Sequence, residues 1–154
     1  MCRPLQLALP ADPVTPSVVR QRLREWLRAW SWPADQLDDI VLAVSEAVSN
    51  SVEHAYVDQP LGMVEVRGGI EMTPDRQRQV MIIVRDHGRW RSPPRDHENR
   101  RRGIPLMRAY MESVTIGQPP DEPVGTWVVL RSKGVSLRRV SPDESGGNTA
   151  HTDD

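Results

Sequence analysis

Glu46, Asn50 and His54 recur at four-residue intervals in "AVSEAVSNSVEHAY", residues 43 to 56, a stretch otherwise built mainly of small apolar residues. At about 100° per residue each step advances by about 40°, so on a helix the three form one stripe. Beside them Leu37, Ile40, Val41, Val44, Ala47, Val48, Val52 and Ala55 share a broad apolar face that must be buried. The stripe therefore lies at the rim between core and solvent. A carboxylate one turn from an amide can act there as a base beside a metal ligand, because Asn offers a hard, neutral oxygen suited to Mg²⁺. Solvation alone also spaces polar residues by four on an amphipathic helix, and a His near a helix C-terminus complements the dipole. The spacing leaves both readings open.

A second group lies in "IIVRDHGRW", where Asp86 ends an apolar run and Gly88 follows, allowing the backbone to approach a ligand. A carboxylate in that place can accept a hydrogen bond from an exocyclic amine, favouring adenine over guanine. An Asp-X-Gly turn that merely caps a strand is the alternative. Downstream, Arg85, Arg89, Arg91, Arg95, Arg100, Arg101, Arg102 and Arg108 crowd a segment with few acids, and Gly103 opens the next helix. Free N–H groups at that helix start, flanked by guanidinium groups, suit a phosphate, and a solvated basic loop is the competing reading. Aromatic interleaving beyond Trp90 is thin for a nucleic-acid patch.

The elements that must position these groups are legible from period and punctuation. "LQLAL" at 5–9 predicts an edge strand, with Thr15 as helix cap and Pro16 as first helical residue. Val19, Leu23, Trp26, Leu27 and Trp30 then give an amphipathic helix, and "SWPAD" separates it from a second helix over about Asp35 to Tyr56. From Gly62 the period becomes two. Val64 and Val66 alternate with polar neighbours, and "QVMIIVR" at 79–85 predicts a continuously buried strand, joined through "TPDRQ". A short helix at "IPLMRAYM" and strands at "ESVTI" and "GTWVVLRS" follow. Residues 141–154, polar, small and acidic, predict a disordered tail. This order predicts an α+β two-layer sandwich, a mostly antiparallel mixed sheet covered on one face by about three helices.

Composition narrows the function. The 154 residues fit one domain of ordinary size, hence one site. Twenty Lys+Arg against 21 Asp+Glu leave no global field to recruit nucleic acid or an acidic membrane. Cys2 is the single cysteine, which excludes an internal disulfide and fits a reducing cytoplasm. No apolar run approaches a membrane span, and prolines interrupt the start before a secretory core could form, so a soluble, cytoplasmic protein is expected.

Taken in order, the three segments resemble the GHKL ATPase superfamily, specifically the anti-sigma-factor serine kinases of the RsbW and SpoIIAB type. "LAVSEAVSNSVEHAY" is similar to their N box, "VRDHGRW" to the first glycine box, "RRGIPLM" to the second and "GTWVVL" to the closing Gly-Thr strand. The resemblance covers roughly residues 5–133 and implies the Bergerat, histidine-kinase-like ATPase fold. It implies ATP and Mg²⁺, with Glu46 as catalytic base and Asn50 as metal ligand. Asn50, His54, Asp86, Gly88, Arg102, Gly103 and Thr126 would bind ATP, Asp86 on the adenine amine. Trp90 and Arg101 stand where the wider superfamily has glycines of the two boxes. The implied activity is transfer of the γ-phosphoryl group to a serine of an anti-anti-sigma (STAS-domain) protein, with sequestration of a sigma factor, no direct nucleic acid, and room for a homodimer. The alternative is a non-catalytic nucleotide-binding module that regulates by contact alone.

Overall fold

The computed structural model describes residues 3–89 and 103–137. In chain order these form β1 (Leu5–Pro10), α1 (Thr15–Ala29), α2 (Ala34–His54), β2 (Met63–Met72), β3 (Gln77–Asp86), α3 (Gly103–Tyr110), β4 (Ser113–Gly117), β5 (Trp127–Arg131) and β6 (Val135–Ser136). The sheet runs β1-β2-β3-β5-β4, with the short β6 also on β3, and each of these pairings is antiparallel. β3 and β4 consequently point the same way with β5 inserted between them, so α3 lies on a crossover that skips one strand. The expected two-layer α+β architecture is observed, and β6 carries strand pairing a few residues past position 133.

Register explains where the core sits. Leu7, Val66, Val84, Val128 and Ile116 form one cross-strand row, and Leu5, Gly68, Ile82, Leu130 and Val114 the next. Successive strand residues face opposite sides, so these rows share one face of the sheet. Onto it pack Val19, Leu23 and Leu27 of α1, the apolar face of α2 and Met107 of α3, in a single core. The face predicted for α2 is buried as drawn, with Val52 only partly covered.

Two local expectations are corrected. Thr15 is not the helix cap: Asp12 Oδ1 accepts from the Val14 amide at 2.9 Å, while the Thr15 hydroxyl turns inward and donates to the Pro10 carbonyl. Thr15 itself is buried, so its hydroxyl takes the nearby carbonyl at the end of β1 rather than an amide at the helix start. The 79–85 run is also not buried on both sides. Val80, Ile82 and Val84 are buried while Met81, Ile83 and Arg85 are only half-buried, because the helices cover one face. Among the described residues no helix is long and apolar enough to cross a membrane.

Candidate functional site

A third inward row, Leu9, Val64 and Asp86, continues the two apolar ones. Asp86 thus follows Val80, Ile82 and Val84 at period two and carries a carboxylate into the core, where it is 1 % exposed. Such burial is costly unless the charge is hydrogen-bonded. The Ser51 hydroxyl of α2 donates to Oδ2 at 2.8 Å, and the amides of Gly88 and Thr126 donate to Oδ1 at 3.2 and 3.1 Å. Burial pushes the Asp86 carboxyl above its ordinary pKa, and these three hydrogen bonds oppose that shift.

The turn after Asp86 is seated on the end of α2. The Arg89 amide donates to the Ala55 carbonyl at 3.0 Å, and the His87 amide donates to the Tyr56 hydroxyl at 3.0 Å. Between them, a Cβ added at Gly88 would stand 1.9 Å from the Ala55 carbonyl oxygen. The close approach that needs this glycine is therefore to the helix. Gly125, at φ +92°, similarly lies against the Asp86 carbonyl, where a Cβ would come within 2.1 Å. Gly88→Ala should force the turn off α2 and destabilise the fold by about 1–3 kcal/mol. A lower urea midpoint is expected; an unchanged midpoint would show that the turn is not packed as described.

Between α2, α3 and the sheet opens a cleft of about 550 Å³, counting its open mouth. Asn50, Ser51, His54, Asp86, Arg89 and Thr126 supply its polar lining, and Ile104, Met107, Ile116 and Val128 much of its apolar wall. Five of the residues singled out in sequence, Asn50, His54, Asp86, Arg89 and Thr126, are thus brought together. The stripe behaves as the helical wheel requires, with Glu46, Asn50 and His54 all half-buried. Glu46 lies one turn before Asn50 and outside the cleft wall proper. His54 ends α2, with Nε2 3.6 Å from Glu53 Oε2. Gly88 is buried behind the wall, and Gly103 begins α3. Trp90, Arg91, Arg95, Arg100, Arg101 and Arg102, and the tail at 141–154, lie outside the described residues.

Sequence reasoning missed Ser51 and the apolar residues of α3. A signal for Ser51 existed: it falls seven residues after Val44 and four before Ala55, a polar group on an apolar face. The β4–β5 connection that delivers Thr126 is tethered from the opposite face of the sheet. Arg85 pairs with Asp121 at 3.0 Å and Glu122 at 3.1 Å. The His87 ring sits between Glu122, 2.9 Å from Nδ1, and Glu65, 3.3 Å from Nε2. Arg85 holds the Asp121 carboxyl below its usual range, and His87 with Arg85 does so for Glu122.

Comparison with known proteins gives this arrangement a family. The histidine kinase-like ATPase domain matches residues 9–132. The chain belongs to that family. As a histidine kinase-like ATPase domain it is 36 % identical over 84 residues to the serine-protein kinase RsbW of Bacillus velezensis, covering 54 % of this chain and 49 % of that protein. The same relative from Bacillus subtilis is 32 % identical over 84 residues, 54 % of this chain and 49 % of its own length. The match thus spans about half the length of these curated relatives. The anti-sigma F factor of Clostridium beijerinckii is 29 % identical over 111 residues, 64 % of this chain and 72 % of that one. Among solved structures, the RsbU and RsbW domains of a Mycobacterium tuberculosis protein superpose with a TM-score of 0.66 at 26 % identity, over 89 % of this chain and 35 % of that one. The resemblance to the RsbW type and the α+β fold of this ATPase domain are both borne out.

Proposed function

We propose that this domain binds ATP in the α2–sheet cleft, transfers the γ-phosphoryl group to a serine of an anti-anti-sigma (STAS-domain) protein, and sequesters a sigma factor. The observation that carries the reading is Asp86: a hydrogen-bonded carboxylate lining a cleft whose α2 wall bears the half-buried Asn50 and His54. Similarity to proteins named serine-protein kinase RsbW and anti-sigma F factor supports the choice of phosphoacceptor and of the second partner.

In this reading Asp86 accepts the adenine amine, while Ile104, Met107, Ile116 and Val128 exclude water around the base. Among the described residues no three acidic, His or Cys groups converge on a metal-sized space. The neutral amide of Asn50 at the cleft fits Mg²⁺, an ion that keeps several waters and takes further ligands from phosphates. When bound, Mg²⁺ would offset phosphate charge. Glu46, one turn away, takes the proton of the serine hydroxyl as its oxygen bonds to the γ-phosphorus and the bond to the β-phosphate oxygen breaks, releasing ADP.

Asn50→Ala should weaken ATP binding in the presence of Mg²⁺ and leave metal-free binding nearly unchanged, as titrations with and without the ion would read. Equal metal dependence in the two proteins would make Asn50 a solvated helix residue. The activity itself is tested by incubating the full chain with γ-labelled ATP and a STAS-domain protein. Label on a serine of that protein is expected. Binding of nucleotide and partner with no label transferred would favour regulation by contact alone.

A further inference from the structure

We infer that Tyr56 is a positioning residue for adenine selection, its hydroxyl fixing the turn that aims the Asp86 carboxylate into the cleft. The inference rests on the ATP reading above and deepens it.

Tyr56 stands just beyond the last turn of α2, where its hydroxyl does two things at once. It donates to the Met63 carbonyl at 2.7 Å, at the start of β2, and it accepts from the His87 amide at 3.0 Å. The ring is half-buried against Gly62, whose missing Cβ would otherwise stand 2.3 Å from the Tyr56 Cε1. Three elements therefore meet at one oxygen: the end of α2, the start of β2 and the turn that follows β3. Burial pushes the phenol above its ordinary pKa against the opposing His87 hydrogen bond, and the Asp86 and Glu65 charges add to the rise, so the hydroxyl keeps its proton.

The consequence for Asp86 is geometric. His87 lies between Asp86 and Gly88, and the Gly88 amide is the longest of the three bonds to the carboxylate, at 3.2 Å. Of the two hydrogen bonds that seat the turn on α2, Arg89 to Ala55 is main chain to main chain. The Tyr56 hydroxyl is the side-chain member, so it can be removed without altering the backbone. In Tyr56→Phe the ring still fills its place, but the His87 amide and the Met63 carbonyl lose their shared partner. The Gly88 amide then drifts from Oδ1, and the carboxylate is held by Ser51 on one oxygen and Thr126 on the other. An acceptor held by two donors instead of three is less firmly aimed and discriminates less well between an amine and a carbonyl on the base.

The test uses the full chain carrying Tyr56→Phe. The ratio of GTP to ATP dissociation constants should fall by about fivefold or more, the loss expected when one hydrogen bond no longer orients the acceptor. Purely structural support would weaken both nucleotides alike and leave the ratio fixed. In the ligand-free protein, the carboxyl-carbon titration of Asp86 should move to higher pH, because a donor to the charged form is weakened. Amide exchange should quicken at Gly88 more than at Thr126. An unchanged ratio with an unmoved Asp86 titration would overturn the inference. A wild type that does not prefer ATP to GTP would instead remove the adenine reading, and the Asp86 titration and Gly88 exchange would then decide Tyr56's positioning role by themselves.

Discussion

Asp86→Asn should fold and yet lose most of its affinity for ATP, by roughly 10–100-fold, the range for a hydrogen bond to a charged group. The amide can keep the native contacts: its Oδ1 still accepts from Gly88 and Thr126, and its Nδ2 donates to the Ser51 oxygen in place of the bond that Ser51 now gives. What changes is the atom offered to the cleft. An NH₂ group meets an adenine amine donor to donor, so calorimetry should find the preference for ATP over GTP abolished. An Asn variant that retains the preference would remove Asp86 from the base.

The same residue sets a pH dependence with opposite signs for binding and stability. Burial raises the folded-state pKa of Asp86 above its ordinary value. Because the raised value favours the protonated form in the fold, its contribution to stability is fully present below the unfolded carboxylate pKa. It is lost as pH climbs through the folded pKa. Accepting an amine needs the ionised form, so ATP affinity should decline as pH falls through that same folded value. Asp86→Asn should lack this group's titration, and its stability relative to wild type should improve as pH rises.

Glu46→Gln is the second large effect. The carboxylate sits half-buried, one helical turn before Asn50, and no part of it is needed for the cleft wall. Gln keeps the shape and removes the base, so transfer of labelled phosphate to the STAS-domain substrate should fall by roughly 10²-fold or more while ATP binding persists. Single-turnover assays with equal nucleotide occupancy separate the two quantities. Full transfer by Glu46→Gln would contradict its role and direct the search for a base elsewhere in the cleft.

How far the sequence foretold this site depends on whether each residue answers to a local or a distant constraint. The Glu46, Asn50, His54 stripe obeys helical geometry alone, and its half-burial follows from the apolar face beside it. Asp86 was legible as a strand-end carboxylate, but its depth was not. Reading 79–85 as uniformly buried hid the alternation that puts Asp86 on the inward side with Val80, Ile82 and Val84. Ser51 and Asp86 are 35 residues apart and meet only once α2 lies on β3. Thr15 illustrates the same limit at short range, since a tertiary acceptor at Pro10 took a hydroxyl that local pattern assigned to a helix start. β6 is two residues long, too short for any period to register.

Whether ATP lies between α2 and β3 with its base on Asp86 can be read from amide chemical shifts of the labelled full chain during titration with MgATP. Saturable shifts are expected at Asn50, Ser51, Gly88 and Thr126, with those at Gly88 and Thr126 much reduced for MgGTP. Shifts absent from these amides, or concentrated on the opposite face of the sheet at Ile83 and Val129, would contradict this placement.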